Sequence, residues 1–330
     1  MSNLIIYCVN QTQAELIVQE LDEIVRLHPS RVLLLVGDPK ASPSSIEAFV
    51  SALCHLSGSS GQVCSEHITI QASGDAVLRL PTTTRALLIG DLPTTLWWAS
   101  HESPSLGGVL FTELEDMADQ VIYSCLGWDE PRRDTIATAK WVVEAESTET
   151  LASDITWRRL KPWRSLIGQS LDPAAVPGAL GSITEVVVEC GSHGLPESWL
   201  LVGWLASRLG WRPTGFAQRK SGELGWTLQA SGRNVDLKIR RIQEGSPEIR
   251  SIATAWTVDR STATMTVASQ GPGKLGMSYQ GVDAQPRLLI APNQSRATLV
   301  GLQLQDLERD IYFDAALQVA RQLAESSTLL

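Results

Sequence analysis

Five histidines, His28, His55, His67, His101 and His193, come first when this chain is searched for chemistry, since imidazole both binds metals and moves protons near neutral pH. None lies in a two-histidine metal spacing, and none adjoins a serine in a nucleophile motif. The chain has no Gly-x-Ser-x-Gly elbow, Walker loop or His-Glu-x-x-His helix. His28 precedes a proline at a predicted helix end, where a cation complements the dipole. Glu113, Glu115, Asp116 and Asp119 crowd one predicted helix or turn, and a solvated face explains them more simply than paired acid–base work. Gly271-Pro272-Gly273-Lys274-Leu275-Gly276 has the letters of a dinucleotide fingerprint. Its flanks, residues 264–268 and 275–279, both read as strands, so it reads as a hairpin loop. Cys8-Val9-Asn10-Gln11-Thr12, the turn after the first predicted strand, has no glycine to admit a phosphate. No catalytic, cofactor-binding or metal-binding residue is expected.

The densest concentration of functional side chains is residues 154–164, with two tryptophans and four cations beside one acid. Tryptophan and arginine carry much of the energy at protein interfaces, through a large ring and five fixed donors respectively. A single helix would place Trp157, Leu160, Trp163, Ile167 and Leu171 on one face. Pro162 disfavours α geometry at Lys161 and suits a first turn, so a break near Lys161 and a new helix over residues 162–170 are expected. A Trp/Leu stripe at this spacing is also what a core helix carries. Eleven tryptophans against four Phe and four Tyr invert ordinary usage. The rings of Trp97 and Trp98, adjacent at a strand end, must point to opposite faces of a sheet, so one is expected to face a groove, another domain or a partner.

Composition narrows the class. A net charge of -9 argues against a phosphate-tracking surface and so against nucleic acid as partner. Cys8, Cys54, Cys64, Cys125 and Cys190 form an odd set without a Cys-x-x-Cys pair, arguing against a disulfide framework or zinc ribbon and for a reducing, cytoplasmic setting. Cys54 and Cys64, flanking a Gly/Ser loop, are the pair to watch for oxidation. No signal peptide is legible, and the apolar runs fall short of the roughly 20 residues a membrane helix needs, so no membrane association is expected.

The elements that position these residues change in kind along the chain. Residues 4–9 read as a buried strand, followed by a helix opened by Thr12 and Glu15, with Ile17, Leu21, Ile24 and Val25 inward. Residues 32–36 form a second apolar strand. Ser42-Pro43 should start a helix burying Ile46, Phe49, Val50 and Leu53. Residues 63–71, 86–89, 95–98 and 120–123 supply further strands. This βαβ pattern predicts a Rossmann-like α/β domain with a parallel sheet over residues 1–145, ending in the acidic stretch 144–149. Residues 146–330 read as an α+β domain, the probable partner-binding region, with a largely antiparallel sheet. It holds strands at 183–189, 225–229, 235–241, 252–258, 264–268, 275–279 and 287–290, a buried helix at 196–209 and a closing helix at 306–325.

Several pieces, in order, resemble one family. Thr156-Trp157-Arg158-Arg159-Leu160-Lys161-Pro162-Trp163-Arg164-Ser165-Leu166 resembles the T-W-x-R-L-x-P-W-R-x-L stretch of the glucose-6-phosphate dehydrogenase assembly proteins, the OpcA family. Asn3-Leu4-Ile5-Ile6-Tyr7, His28-Pro29-Ser30-Arg31-Val32, Asp91-Leu92-Pro93-Thr94-Thr95-Leu96-Trp97-Trp98 and Trp204-Leu205-Ala206-Ser207-Arg208-Leu209-Gly210-Trp211 resemble its first strand, H-P-S-R-V turn, D-x-P-x-x-x-W-W stretch and W-L-A-x-R-L-G-W helix end. The family's usual leader has no counterpart before Asn3, and the extra cysteines of longer photosynthetic members are unmatched. The resemblance implies a non-catalytic assembly factor or allosteric activator whose partner is glucose-6-phosphate dehydrogenase, in the oxidative pentose phosphate pathway. Asp91, Pro93, Trp97, Trp98, Trp157, Arg158, Arg159, Pro162, Trp163 and Arg164 are then the candidate contact or interdomain residues. The rival class is a nucleotide- or sugar-phosphate-binding sensor or enzyme using the Rossmann-like half, and a third is a scaffold for another partner.

Overall fold

Near-continuous apolar runs such as Val32-Leu33-Leu34-Leu35-Val36 can be buried on both faces only if helices cover both sides of the sheet they enter. The computed structural model describes residues 1–56, 62–145, 150–218, 223–243, 245–246, 248–258, 261–292 and 294–327. In chain order it contains β1 (Ser2–Cys8), α1 (Gln11–Leu27), β2 (Ser30–Asp38), β3 (Ser45–Leu56), β4 (Gln62–Ser73), α2 (Leu80–Leu87), β5 (Thr94–Trp98), α3 (Gly108–Glu115), β6 (Gln120–Tyr123), α4 (Pro131–Ala145), β7 (Leu151–Asp154), α5 (Ile155–Arg159), α6 (Lys161–Ser170) and α7 (Ala179–Ser182). Then follow β8 (Ile183–Gly191), α8 (Leu195–Leu209), β9 (Arg212–Gln218), β10 (Glu223–Ala230), β11 (Arg233–Ile242), β12 (Ile249–Val258), β13 (Ser261–Ser269), β14 (Lys274–Gln280), β15 (Arg287–Ile290), α9 (Arg296–Gln303) and α10 (Ile311–Ser326).

Contacts gather the chain into two compact units, each made of three segments: Met1–Ser124, Lys140–Ile155 and Gln294–Arg309 in the first, Cys125–Ala139, Thr156–Asn293 and Asp310–Leu330 in the second. Among the described residues the first unit holds a seven-stranded sheet, ordered β3-β4-β2-β1-β5-β6-β7. All its pairings are parallel except β3 with β4. The order reverses direction at β1, where β2 lies on one side and β5 on the other, as in doubly wound nucleotide-binding folds. The α1 face predicted to be inward, Ile17, Leu21, Ile24 and Val25, packs with Leu4, Ile6, Val32 and Leu34, and α9 adds Leu299 and Val300 to that core.

The second unit holds an eight-stranded sheet, ordered β15-β14-β13-β12-β8-β11-β10-β9, antiparallel except where β8 meets β11. Val235, Leu237 and Ile239 are buried while Asp236, Lys238 and Arg240 face outward, the alternation expected of a sheet with one wet face. Helix α8 is buried almost all round, and α10 crosses it at Gly203, where a Cβ would lie 2.2 Å from the Ala316 carbonyl oxygen. Gly271 to Gly273 form the turn of the β13–β14 hairpin, so the fingerprint letters there serve a tight turn.

Four expectations about elements change. Residues 45–56 form strand β3, not a helix, because an unbroken register from Ser45 opposite Ser73 to Leu56 opposite Gln62 pairs its backbone. The spacing of Ile46, Phe49 and Val50 suits either state, and these β-branched and aromatic side chains favour the strand once a partner is present. The predicted strand at 86–89 falls instead at the end of α2, which has a proline in its first turn. Helix α1 is capped by Asn10 rather than Thr12: the Asn10 side chain accepts from the Gln13 amide at 2.9 Å. The closing helix begins at Ile311, where Asp310 caps it, and β9 and α9 are additional elements. The acidic stretch expected to end the first domain lies outside the described residues from 146 to 149, as does the Gly/Ser loop at 58–61.

Candidate functional site

The two regions with the resemblance motifs fall in different units, the Asp91 to Trp98 stretch in the first and Thr156 to Arg164 in the second. In the first, Asn3 builds the turn. Its main-chain amide donates to the Pro93 carbonyl at 2.9 Å, and its side-chain amide donates to the Ile89 carbonyl at 3.0 Å and to Thr94 Oγ1 at 3.1 Å. The Asn3 oxygen accepts from the Ile89 amide at 3.2 Å. Asp91 takes the left-handed region, φ 65°, which a short polar side chain tolerates. Asp91 and Pro93 are exposed, at the end of the sheet where β1 and β5 begin, opposite the carboxyl ends at which α/β folds bind nucleotides.

Trp97 and Trp98 point to opposite faces as predicted, but both are buried, at 1% and 4% exposure, so neither is left for the groove or partner expected of one of them. Trp97 lies in the α1 and α9 core with the Arg296 guanidinium 5.4 Å from its ring. Trp98 stacks on Tyr7 at 4.4 Å and meets Phe111 edge-on. On that side Glu115, half-buried and with its pKa raised by burial, accepts from Trp141 Nε1 at 2.6 Å. Asp119 accepts from the Thr94 amide at 2.8 Å, and Asp116 pairs with Arg85 at 3.0 Å. The acid cluster read as a solvated face is thus in part a set of tethers.

In the second unit, Pro162 sits in the first turn of α6 as the sequence predicts, and Leu160 at the N-cap position makes no side-chain capping bond. Trp157 and Trp163 are 6% and 8% exposed, so their rings are core. The Arg164 guanidinium lies 3.4 Å from the Trp157 ring centroid and donates to the Trp157 carbonyl at 2.6 Å. Burial lowers its pKa to about 10, with the Asp310 carboxylate acting in the opposite direction, so it stays charged at neutral pH. Trp157 Nε1 donates to Asp310 Oδ2 at 2.7 Å, and Asp310 Oδ1 caps α10 through the Tyr312 and Phe313 amides. Arg159 pairs with Glu248 at 2.7 Å, and Arg158 is half-buried. Asp310 and Arg296 were missed as partners; an Asp directly before an apolar-periodic run is the helix-start signal that marks the former.

The carboxyl ends of β1 and β2, where this fold class places a dinucleotide, do not suit one. Val9 donates its amide to Gln13 Oε1 at 3.2 Å and Asn10 holds the Gln13 amide, so local side chains take first-turn donors that would meet a pyrophosphate. Asp38, at the end of β2 where a ribose contact is usual, accepts from the Lys40 and Ala41 amides. Burial pushes the Cys8 thiol and the Tyr7 hydroxyl up to about 12, far from nucleophilic or proton-transfer duty at neutral pH. A groove of about 480 Å³ beside α1, lined by Gln11, Glu15, Val18, Phe49, Thr69 and Gln71 among others, offers one carboxylate and no acid–base pair. Among the described residues no three His, Cys, Asp or Glu are placed to hold a metal, and no helix is long and apolar enough to cross a membrane.

Comparison with known proteins completes the site. Two domain families of the glucose-6-phosphate dehydrogenase subunit match the chain, that of its N-terminal domain over residues 21–140 and that of its C-terminal domain over residues 150–317. The chain belongs to the OpcA family. The OxPP cycle protein OpcA of Nostoc punctiforme is 33% identical over 204 residues, covering 61% of this chain and 42% of the relative. That of Synechocystis sp. is 28% identical over 319 residues, covering 93% of this chain and 66% of the relative, so this chain spans less than two thirds of either. Among solved structures, an oxidoreductase domain protein from Kribbella flavida aligns with a TM-score of 0.54 at 12% identity, covering 99% of this chain and 97% of that one. Gal80p of Saccharomyces cerevisiae aligns at 0.53 and 10% identity, covering 98% and 95%. Such distant likeness places the OpcA chain in an oxidoreductase-like fold and carries no activity with it.

Proposed function

We propose that this chain is a non-catalytic assembly factor or allosteric activator of glucose-6-phosphate dehydrogenase, acting in the cytoplasm. The observation that carries the reading is the match of both domain families, in order, across residues 21–140 and 150–317. The carboxyl ends of β1 and β2 support it, since the side chains of Gln13, Asn10 and Asp38 accept from the main-chain amides of Val9, Gln13 and Lys40, which are then not presented to a nucleotide. The sensor or enzyme reading has no glycine-bearing phosphate turn to rest on. An activator must bind the active conformation or assembly of the enzyme more tightly than the inactive one, because a ligand without differential affinity shifts nothing. The exposed Asp91 and Pro93 turn and the outward parts of Arg158, Arg159 and Pro162 are its candidate contacts, while the four tryptophans hold them in place.

The test mixes the pure chain with the dehydrogenase from the same source. Co-elution as a larger species, with a lower KM for glucose 6-phosphate or a higher kcat, is expected. Separate elution with unchanged kinetics overturns the reading. Turnover of a sugar phosphate by the chain alone, abolished by a point mutation in it, overturns its non-catalytic part.

A further inference from the structure

The two sheets present four outer edges, and three are blunted. Strands β7 and β15 have four residues each. Strand β9 carries Arg212 and Pro213 and a break in register opposite Thr227 and Leu228. Short strands, charges, prolines and bulges are the devices by which natural sheets stop an edge from pairing with another chain. Strand β3 has neither the shortness, the proline nor the bulge, and a single charged residue. It runs for 12 residues, pairs with β4 without a register shift, and contains no Lys, Arg or Pro. Its one carboxylate is Glu47. Its apolar side chains also lie in the open, Phe49 at 52% and Val50 at 69% exposure, with Ile46 on the same face as Val50.

We propose that β3 is a docking edge for a second copy of this chain, pairing antiparallel with the β3 of that copy about a two-fold axis at Phe49. Side chains directly opposite in an antiparallel pair share a face, and two-fold symmetry makes each contact occur twice. Centred on Phe49, the register sets Phe49 against Phe49 of the second copy, Val50 against Ala48 and Ile46 against Ala52. Glu47 then meets Ser51, whose hydroxyl already lies 3.3 Å from His67 Nδ1. No two carboxylates face each other, polar meets polar, and the outer backbone groups of β3 gain a ladder. Centring on Val50 would set Phe49 against Ser51, and so is disfavoured.

Sedimentation of the full chain over a range of concentrations tests this, alone and with Val50→Lys. A reversible dimer is expected, with a dissociation constant raised on the order of tenfold or more by Val50→Lys. Val109→Lys, on an exposed face of α3, should leave it unchanged. Phe49→Cys gives a second readout that does not depend on dissociation. An added oxidant should link two Phe49→Cys chains by a disulfide that the wild-type chain does not form, even if Val50→Lys fails to fold. A wild-type chain that stays monomeric well above micromolar concentration overturns the proposal, as does an edge that pairs only with the dehydrogenase. So does a dimer that Val50→Lys leaves intact and Phe49→Cys fails to cross-link.

Discussion

Arg164 lies over Trp157, its guanidinium carbon 3.4 Å from the ring centroid, while donating to the carbonyl of the same residue at 2.6 Å. The pairing joins the middle of α5 to the first turn of α6, and through Trp157 Nε1 to Asp310 it reaches the cap of α10. Arg164→Ala should therefore cost about 1.5–3 kcal/mol, the range for a charged hydrogen bond, rather than the near-zero cost of a surface arginine. Urea denaturation measures it; no loss would show the contact to be idle.

Trp163 is buried on α6 with Leu166 and Ile167. Trp163→Ala is expected to cost roughly 3–5 kcal/mol through the cavity it leaves. At a temperature where the variant remains folded, dehydrogenase binding should be intact. Weakened binding by a fully folded variant would return the ring to the interface.

Asp91 separates backbone from contact. Its left-handed conformation is one that glycine adopts freely, so Asp91→Gly should leave the melting temperature nearly unchanged and Asp91→Val should lower stability by about 1–2 kcal/mol. If the exposed carboxylate touches the dehydrogenase, Asp91→Gly also weakens that complex. Equal binding by both proteins would leave Asp91 a turn residue only.

Burial lowers the pKa of His28 and of His67 below the ordinary value near 6.5. A histidine depressed in the folded state takes up its proton more readily in the unfolded chain. The stability from keeping each ring neutral is thus fully present above about pH 6.5 and is lost as pH falls toward the folded value. Melting curves from about pH 7.5 to about pH 5.5 should show this decline, shallower in His67→Gln. An unchanged slope would place the acid sensitivity elsewhere.

Gly203 leaves no room for a side chain, since a Cβ there would lie 2.2 Å from the Ala316 carbonyl oxygen, which is backbone. Gly203→Ala must push α8 and α10 apart, at a cost of roughly 1–3 kcal/mol or more despite better helix propensity. A stabilised variant would contradict the observed crossing.

Periodicity made most of the fold legible. Ile17, Leu21, Ile24 and Val25 could only be one face of a helix, and Val235, Leu237 and Ile239 one face of a strand. Ile46, Phe49 and Val50 fit both periods, and only pairing with β4 decides between them. Strand β9 hides its character behind Pro213 and Gly215, which local rules assign to turns. At the candidate site the motif residues were easy to find and their burial was not. A Trp157, Leu160 and Trp163 stripe looks the same whether the chain's own elements or another protein cover it, because spacing records a face and not its neighbour.

The interleaved path of the chain limits how the molecule can be taken apart. It passes from one unit to the other at 124/125, 139/140, 155/156, 293/294 and 309/310. A cut between 145 and 150 would look natural, yet fragment 1–145 would lack Leu299 and Val300 of its own interior, and fragment 150–330 would lack residues 125–139. Neither half made alone is a complete folding unit. Protease nicking there should leave two pieces that travel together until denaturant separates them.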